Sequence, residues 1–291
     1  MTSSASPFRL PSRLPSRTPD RDVRGKVVAI TGAGRGIGLA TAARFADAGA
    51  IVVIGDLDDD VAAKAAAQVG GGAEGYVVDV ADRESFAAFL DRAEAIGPVE
   101  VLVNNAGIMP LSPLVDQSDA SIDRVLDINL RGVITGTQLA ARTMGARGHG
   151  HVVNVASAVG RIAMAGGAVY SASKFGVVGF SEAMAGELRP VGVDVSVVLP
   201  TVVATELGAG VSATRGMRPC RPEEVADAVL ATVRRPQFET WVPGYAKGIF
   251  YGSNTFPRRI RDAISHALKA DSSLSAVDTE ARAEYERRAS R

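Results

Sequence analysis

Tyr170 and Lys174 are the two residues whose types and spacing are best suited to chemistry. They stand four positions apart in Tyr-Ser-Ala-Ser-Lys, so they share one face if the segment is helical. A tyrosine is a poor base at its ordinary pKa of about 10, and a neighbouring ammonium group favours the phenolate. The pair therefore predicts a group that takes the proton of an alcohol while hydride leaves the carbinol carbon. An isolated pair of this kind is common, so its value depends on its surroundings.

Two further polar residues fit this chemistry. Ser157 follows a predicted strand, His151–Val155, and ligands collect at the carboxyl ends of strands in open α/β sheets. Its hydroxyl is expected to donate to a substrate oxygen, although serine is also an ordinary turn residue. Asn129 lies in a helix predicted from about residue 121 to 144, where an amide often only satisfies a local backbone group.

A glycine-rich turn separates the first predicted strand, Val27–Ile30, from the first predicted helix, residues 37–48. Its glycines are Gly32, Gly34, Gly36 and Gly38. Glycine permits a tight turn and lets backbone N–H groups approach a pyrophosphate at a helix N-terminus. The turn therefore predicts a dinucleotide site, although a glycine turn alone is also compatible with an ordinary tight turn.

Asp56 strengthens this interpretation because it follows the second predicted strand, 20 residues after Gly36. At that place a carboxylate accepts both adenosine ribose hydroxyls and repels a 2′-phosphate. A surface aspartate at the start of an acidic run is the competing interpretation. Arg35 favours a phosphate, whereas Leu57 stands where a basic residue would otherwise follow Asp56. We therefore expect NAD as the cofactor, with NADP less favoured.

Taken together, these segments resemble the short-chain dehydrogenase/reductase family, in its single-domain branch. The resemblance covers about residues 25–245 and is carried by Thr31-Gly-Ala-Gly-Arg-Gly-Ile-Gly38, Asn104-Asn-Ala-Gly107 and Tyr170-x-x-x-Lys174. It implies a catalytic tetrad of Asn129, Ser157, Tyr170 and Lys174. Within this tetrad, Asn129 would position a water beside Lys174, and Lys174 would also bind the nicotinamide ribose.

The resemblance and the turn together imply a set of cofactor contacts. Asp79 and Val80 are expected beside the adenine ring, and Thr205 beside the nicotinamide carboxamide. The full set is Thr31, Gly32, Gly34, Arg35, Gly36, Ile37, Gly38, Asp56, Leu57, Asp79, Val80, Asn105, Ala106, Gly107, Tyr170, Lys174, Pro200, Val203 and Thr205. One departure stands out, because Thr201 follows Pro200 where the family usually has glycine. We expect its branched side chain to narrow the nicotinamide pocket or to shape substrate access.

Alternating strand and helix patterns predict an α/β fold, a Rossmann-type doubly wound, mostly parallel sheet with helices on both faces. The further predicted strands are Ile51–Ile54, Tyr76–Val78, Val99–Val103, Val193–Leu199 and one beginning at Trp241. We expect a single catalytic domain over residues 25–245. A flexible leader rich in Arg, Pro and Ser is predicted over residues 1–24, and a C-terminal extension with an amphipathic helix over residues 246–291.

Composition excludes several classes of function. The 291 residues carry 32 basic and 32 acidic side chains, so no global attraction to nucleic acid or anionic membranes is expected. Apolar runs are too short for a transmembrane helix or a signal peptide, and Cys220 is the only cysteine, so we expect a cytoplasmic protein. The three histidines form no ligand cluster, so no metal is expected. Peripheral membrane contact through either extension stays open.

The substrate is expected to be a lipophilic secondary alcohol or ketone. The segment 202–221 is predicted to cover the pocket, and the apolar residues expected to line it are Ile108, Met109, Val159, Met164, Leu207, Val211 and Met217. The family resemblance implies a homodimer or homotetramer that pairs the helices near 121–144 and 170–189. The alternative function is a non-catalytic NAD-binding sensor or scaffold, which would have no use for a proton relay.

Overall fold

The computed structural model describes residues 20–211 and 218–257, together with positions 259, 260, 263, 282, 285–287 and 289. In this part of the chain, seven parallel strands form one sheet in the order β3-β2-β1-β4-β5-β6-β7. The strands are β1 (Val27–Thr31), β2 (Ile51–Asp56), β3 (Glu74–Val77), β4 (Val99–Asn104), β5 (Gly150–Val155), β6 (Val193–Pro200) and β7 (Glu239–Val242). The strand order reverses at β1 and β4, and this reversal places a ligand crevice at their carboxyl ends.

Helices cover both faces of the sheet. They are α1 (Gly36–Asp47), α2 (Asp59–Val69), α3 (Arg83–Ile96), α4 (Asp119–Leu126), α5 (Gly132–Arg147), α6 (Ala168–Leu188), α7 (Pro222–Arg234) and α8 (Tyr245–Asn254). Alternate residues of β1 belong to different core clusters: Val28 and Ile30 pack with α1, α2 and α7, whereas Val27 and Ala29 pack with α3 and α5. The predicted doubly wound parallel sheet is confirmed.

The helix predicted from residue 121 to 144 is interrupted, and this corrects the prediction. Helix α4 ends at Leu126, a π-helical turn spans Asp127–Arg131, and α5 continues to Arg147. The wider turn places the buried Asn129 against Ile108, so that the two exchange a pair of hydrogen bonds. Single π turns inside helices often occur at functional sites.

A chain of polar side chains crosses the otherwise apolar interior. Asn104 on β4 lies directly opposite Asn154 on β5 and donates to its side-chain oxygen at 2.8 Å. Asn154 in turn donates to Ser181 on α6 at 2.9 Å, and Asn104 also contacts Thr137 on α5. These hydrogen bonds between side chains link β4 and β5 to helices α5 and α6.

The structure describes only part of the predicted leader and of the predicted C-terminal extension. Residues 1–19 of the predicted leader lie outside the described residues, and residues 20–24 pack against the sheet domain, where Val23 is buried. Most of the predicted amphipathic helix near residues 260–268 also lies outside them. The division into leader, domain and extension stays a prediction. Among the helices that the structure describes, none is long and apolar enough to cross a membrane.

Candidate active site

The glycine turn is shaped by close packing against the end of β4. Gly32 has a φ of 61°, and a Cβ atom there would lie 2.7 Å from Cα of Ala106. A Cβ atom at Gly38 would lie 2.3 Å from the carbonyl oxygen of Gly32. Side chains at these positions would push the turn open, so glycine is required to bring the backbone this close. Helix α1 begins at Gly36, directly after the turn, with Ile37 partly buried against the core.

Thr31 and Asn105 fix the turn to the neighbouring strand. The Asn105 amide donates to the carbonyl oxygens of Thr31 and Gly32, both at 2.9 Å. The Thr31 hydroxyl accepts from the backbone amides of Asn105 at 3.1 Å and Ala106 at 3.2 Å. These two predicted cofactor residues therefore use their polar groups to hold the backbone of the site.

Asp56 lies beside the turn, at the carboxyl end of β2. Its Oδ2 atom accepts from the amide of Gly34 at 3.0 Å, and a Cβ atom on Gly34 would lie 2.6 Å from it. Arg35 forms an ion pair with Glu206 across the cleft at 3.5 Å, and both side chains are substantially exposed. Leu57 is also largely exposed. The carboxylate is thus held where the spacing rule expects an acid.

The other predicted cofactor residues border the same edge of the sheet. Asp79 accepts from the backbone of Ala81 at 2.9 Å, and Val80 after β3 is buried. After β6, Val203 pairs with Cys220 in an isolated bridge. Thr205 approaches the turn, since a Cβ atom on Gly36 would lie 3.3 Å from its methyl group. The segment after β6 therefore forms the second wall of the cleft.

Thr201 stands where the family usually has glycine, and its effect on the nicotinamide pocket or on substrate access stays a prediction. Its hydroxyl contacts the thiol of buried Cys220 at 3.5 Å, and its amide donates to Val242 at 2.8 Å. This side chain packs the base of the segment after β6, which fixes where that wall begins.

Tyr170 and Ser157 meet above this cleft. Ser157 follows β5 and hydrogen-bonds to the Tyr170 hydroxyl; it also lies within 3.5 Å of the carbonyl oxygen of Pro200. Burial raises the pKa of Tyr170 to about 12, and the hydrogen bond from Ser157 opposes this shift. Burial therefore opposes the phenolate that the Tyr-Lys spacing favours.

Lys174 lies one helical turn further along α6, as its spacing predicts. Its ammonium nitrogen lies 5.7 Å from the centre of the Tyr170 ring and donates to the carbonyl oxygen of Val155 at 3.0 Å. Burial lowers the pKa of Lys174 to about 8. A lysine has three donors, so this hydrogen bond leaves others for a ligand.

Asn129 belongs to the same cluster. A Cβ atom on Gly107 would lie 3.2 Å from its Oδ1 atom and 3.7 Å from the Lys174 nitrogen, so Gly107 separates the two side chains. The Asn129 amide donates to Ile108 at 2.8 Å and to Ser173 at 3.3 Å, while its oxygen accepts from the Ile108 amide at 2.8 Å. The structure thus brings all four predicted catalytic residues together.

An apolar cluster packs around Tyr170. Met109 and Tyr170 are its buried members, and the partly buried ones are Leu111, Val159, Met164, Leu207 and Val211. Five of the residues predicted to line the pocket belong to this cluster. The Ile108 backbone hydrogen-bonds to Asn129, and Met217 lies outside the described residues. The lining of a substrate pocket by these residues stays a prediction. Leu111 was missed, although the apolar run Ile-Met-Pro-Leu around it was a usable signal.

A parallel sheet with a glycine turn and a buried Ser-Tyr-Lys cluster at one edge defines a class of dinucleotide-dependent α/β oxidoreductases. Comparison with known proteins supports this class, since the protein-family model described as "short chain dehydrogenase" matches residues 26–216. The chain belongs to the short-chain dehydrogenase/reductase family, which confirms the resemblance, and is an oxidoreductase.

Two curated relatives and one solved structure illustrate the likeness. The chain is 43% identical over 188 residues to a D-threitol dehydrogenase of Mycolicibacterium smegmatis, covering 63% of this chain and 72% of the relative. It is 41% identical over 217 residues to a cis-4-hydroxycyclohexanecarboxylate dehydrogenase of Sinomonas cyclohexanicum, covering 70% and 87%. A short-chain dehydrogenase/reductase from Burkholderia phymatum, in complex with NAD, superimposes with a TM-score of 0.73 at 26% identity, covering 79% of this chain and 93% of that one.

Proposed function

We propose that this protein interconverts a secondary alcohol and a ketone by hydride transfer, with NAD as the preferred cofactor and Tyr170 as the acid and base. The observation that carries the proposal is the buried cluster of Ser157, Tyr170 and Lys174 at the sheet edge that also carries the glycine turn. A family member could keep the fold and lose its catalytic residues, but here Tyr170 has Ser157 and Lys174 beside it, and Asn129 lies across Gly107 from Lys174.

The residues present fit a dinucleotide. The turn at Gly32–Gly38 is packed so closely against its neighbours that side chains there would push it open, and it leads directly into the N-terminus of α1, where backbone N–H groups can meet a pyrophosphate. The Asp56 carboxylate beside Gly34 fits a ribose diol and disfavours a 2′-phosphate, which supports NAD over NADP. Lys174 has donors left for a second ribose near Tyr170.

When bound, an oxidised nicotinamide supplies the acceptor for the hydride that leaves the carbinol carbon. The chain then handles the proton. For oxidation, Tyr170 must first lose its own proton to form the phenolate, which the neighbouring Lys174 ammonium favours. The phenolate oxygen then takes the proton of the alcohol hydroxyl, and Ser157 donates a hydrogen bond to the substrate oxygen. In the reverse direction, the protonated phenol is already in the form that donates to a ketone, because burial holds the pKa of Tyr170 near 12.

The lining of the pocket supports a lipophilic substrate. The side chains clustered with Tyr170 are aliphatic or thioether groups, notably Met109, Met164 and Leu207. The two relatives act, by their names, on threitol and on a hydroxycyclohexanecarboxylate, which differ widely in polarity. The preference for an apolar alcohol therefore rests on this chain's own residues.

Assembly and location complete the proposal. The protein pairs as a homodimer or homotetramer through α5 and α6, where Ile134 and Phe175 expose 39% and 42% of their surface. Pairing there would also brace the helix that carries Tyr170. A cytoplasmic location fits a single, buried and unpaired cysteine, Cys220.

The test compares wild type, Tyr170→Phe and a matched control, Tyr245→Phe, whose ring is largely exposed on α8. NAD⁺ and NADP⁺ reduction is followed across a panel of secondary alcohols, and NADH binding is measured by fluorescence. Tyr170→Phe should lower kcat/KM by about 10²–10⁴-fold with NADH binding retained, because the acid/base group is lost. Bound NADH without turnover in any of the three proteins would favour the sensor or scaffold.

A further inference from the structure

The end of the C-terminal extension returns to the pocket. Of its described residues, Arg282, Tyr285 and Ala289 are buried, and Arg282 is only 1% exposed. Arginine is almost never buried this deeply unless its charge is paired and its donors are satisfied. These residues lie beyond the matched family segment, which ends at residue 216.

Arg282 joins the two segments that line the pocket. Its guanidinium donates to the carbonyl oxygen of Met109 at 2.5 Å, after β4, and to those of Leu207 at 2.8 Å and Ala209 at 3.0 Å, after β6. Its Nε donates to Glu286 at 3.0 Å. A single side chain thus holds two loops together, and its N–H groups donate to other groups of the protein.

Tyr285 fills the space beside this clamp. The Met109 amide donates to its hydroxyl at 2.5 Å, and the Arg282 guanidinium stacks 4.7 Å from its ring centre. Burial raises the pKa of Tyr285, and the neighbouring Tyr170 adds to that shift. Tyr285 is therefore a neutral phenol in the electrostatic range of the catalytic tyrosine.

We infer that Tyr285 is a specificity-determining wall of the substrate pocket and that Arg282 is the positioning residue that holds this wall in place. The inference rests on the proposed function, which makes the space beside Tyr170 the substrate pocket. Because the Arg282 guanidinium is paired with Glu286 and stacks on the Tyr285 ring, the wall offers a substrate the neutral phenol of Tyr285 rather than a free charge. The preferred substrate is a secondary alcohol whose end remote from the carbinol is neutral and apolar.

The first experiment measures kcat/KM with NAD⁺ for cyclohexanol, 4-alkylcyclohexanols of increasing length and 4-hydroxycyclohexanecarboxylate. Wild type should favour the alkylated alcohols over the carboxylate. Tyr285→Ala should raise the ratio of kcat/KM for long over short alkyl groups by about tenfold or more, since pocket contacts discriminate on this scale. Arg282→Met should move the ratio in the same direction, and Arg282→Lys should restore part of it.

The control is Arg259→Met, which removes an exposed arginine from the same extension. NADH affinity should stay at the wild-type value in Tyr285→Ala and Arg259→Met, because Tyr285 hydrogen-bonds to Met109 and not to the glycine turn or to Thr205. An alkyl-length profile equal in wild type, Tyr285→Ala and Arg259→Met would overturn the inference, as would a wild-type preference for the carboxylate.

A second experiment needs no turnover. In Tyr285→Phe the Met109 amide loses its acceptor, so its hydrogen exchange should accelerate by about tenfold, the equivalent of one lost hydrogen bond. Arg282→Met should accelerate the same amide, and Arg259→Met should not. Unchanged exchange of the Met109 amide in Tyr285→Phe would overturn the inference that Tyr285 is held against the pocket. Accelerated exchange in a protein that oxidises no alcohol would instead overturn the proposed function and leave the wall standing.

Discussion

Replacing Lys174 with methionine removes a buried ammonium group and keeps most of its volume. Burial lowers the pKa of Lys174 from 10.5 to about 8. Below pH 8 the lysine is protonated in both the folded and the unfolded chain, so the fold bears the full cost of the buried charge, about 3 kcal/mol. Between pH 8 and 10.5 only the unfolded chain keeps the proton, so the stability of wild type rises with pH in this window.

The substitution also leaves the Val155 carbonyl without its donor, which costs about 1–3 kcal/mol and does not depend on pH. The two effects therefore separate in a pH series. Relative to Lys174→Met, wild type should gain about 2 kcal/mol of unfolding free energy between about pH 7.5 and about pH 9.5. The sign of the difference near neutral pH depends on which effect is larger, but the direction of its change with pH does not.

The assay is urea unfolding of the isolated protein followed by the fluorescence of Trp241, the single tryptophan, which is buried against Phe250. The matched control is Lys64→Met, which removes an exposed lysine on α2 and should give a curve parallel to wild type. Parallel pH profiles for wild type and Lys174→Met would refute the reasoning, since they would mean that Lys174 keeps its ordinary pKa in the folded protein.

Two further predictions concern the cofactor and the π turn. Asp56→Ala should lower the ratio of kcat/KM for NAD⁺ over NADP⁺ by about tenfold or more, because the carboxylate that repels a 2′-phosphate is gone; an unchanged ratio in steady-state kinetics would contradict its assigned role. Asn129→Leu should destabilise the fold by about 2–6 kcal/mol in urea unfolding, because the N–H and C=O of Ile108 both lose their partners. A loss below about 1 kcal/mol would show that the paired hydrogen bonds do not hold this turn.

The sheet was predictable because its signals are local. Short valine-rich runs such as Val27–Ile30 and Val193–Leu199 have the length and composition of buried parallel strands, and the observed strands extend each by only a residue. The glycine turn and Asp56 were found by the same means, since their spacing reflects one βαβ unit.

The features that the sequence did not predict depend on contacts between residues that are far apart in the chain. The π turn at Asp127–Arg131 has no distinctive composition; it is favoured because Asn129 reaches the Ile108 backbone, 21 residues away. Arg282 contacts Met109 across 173 positions, and nothing in the charged sequence around Arg282 distinguishes it from a solvated arginine. The spacing of Tyr170 and Lys174 also could not predict the raised pKa of Tyr170, because burial depends on the residues that the fold packs around it.

The paired asparagines in the sheet have a consequence for strand alignment. Strands with valine on both faces can slide along one another at little cost, since the apolar pattern looks the same in many alignments. Asn104 and Asn154 face each other in only one of them. A slip of one strand by one residue would move its amide to the opposite, apolar face and leave the other amide without this partner. Because Asn154 also binds Ser181 on α6, this pair sets the height at which that helix presents Tyr170 to the crevice. The two buried amides thus fix the register of β4 and β5 and, through α6, the position of Tyr170.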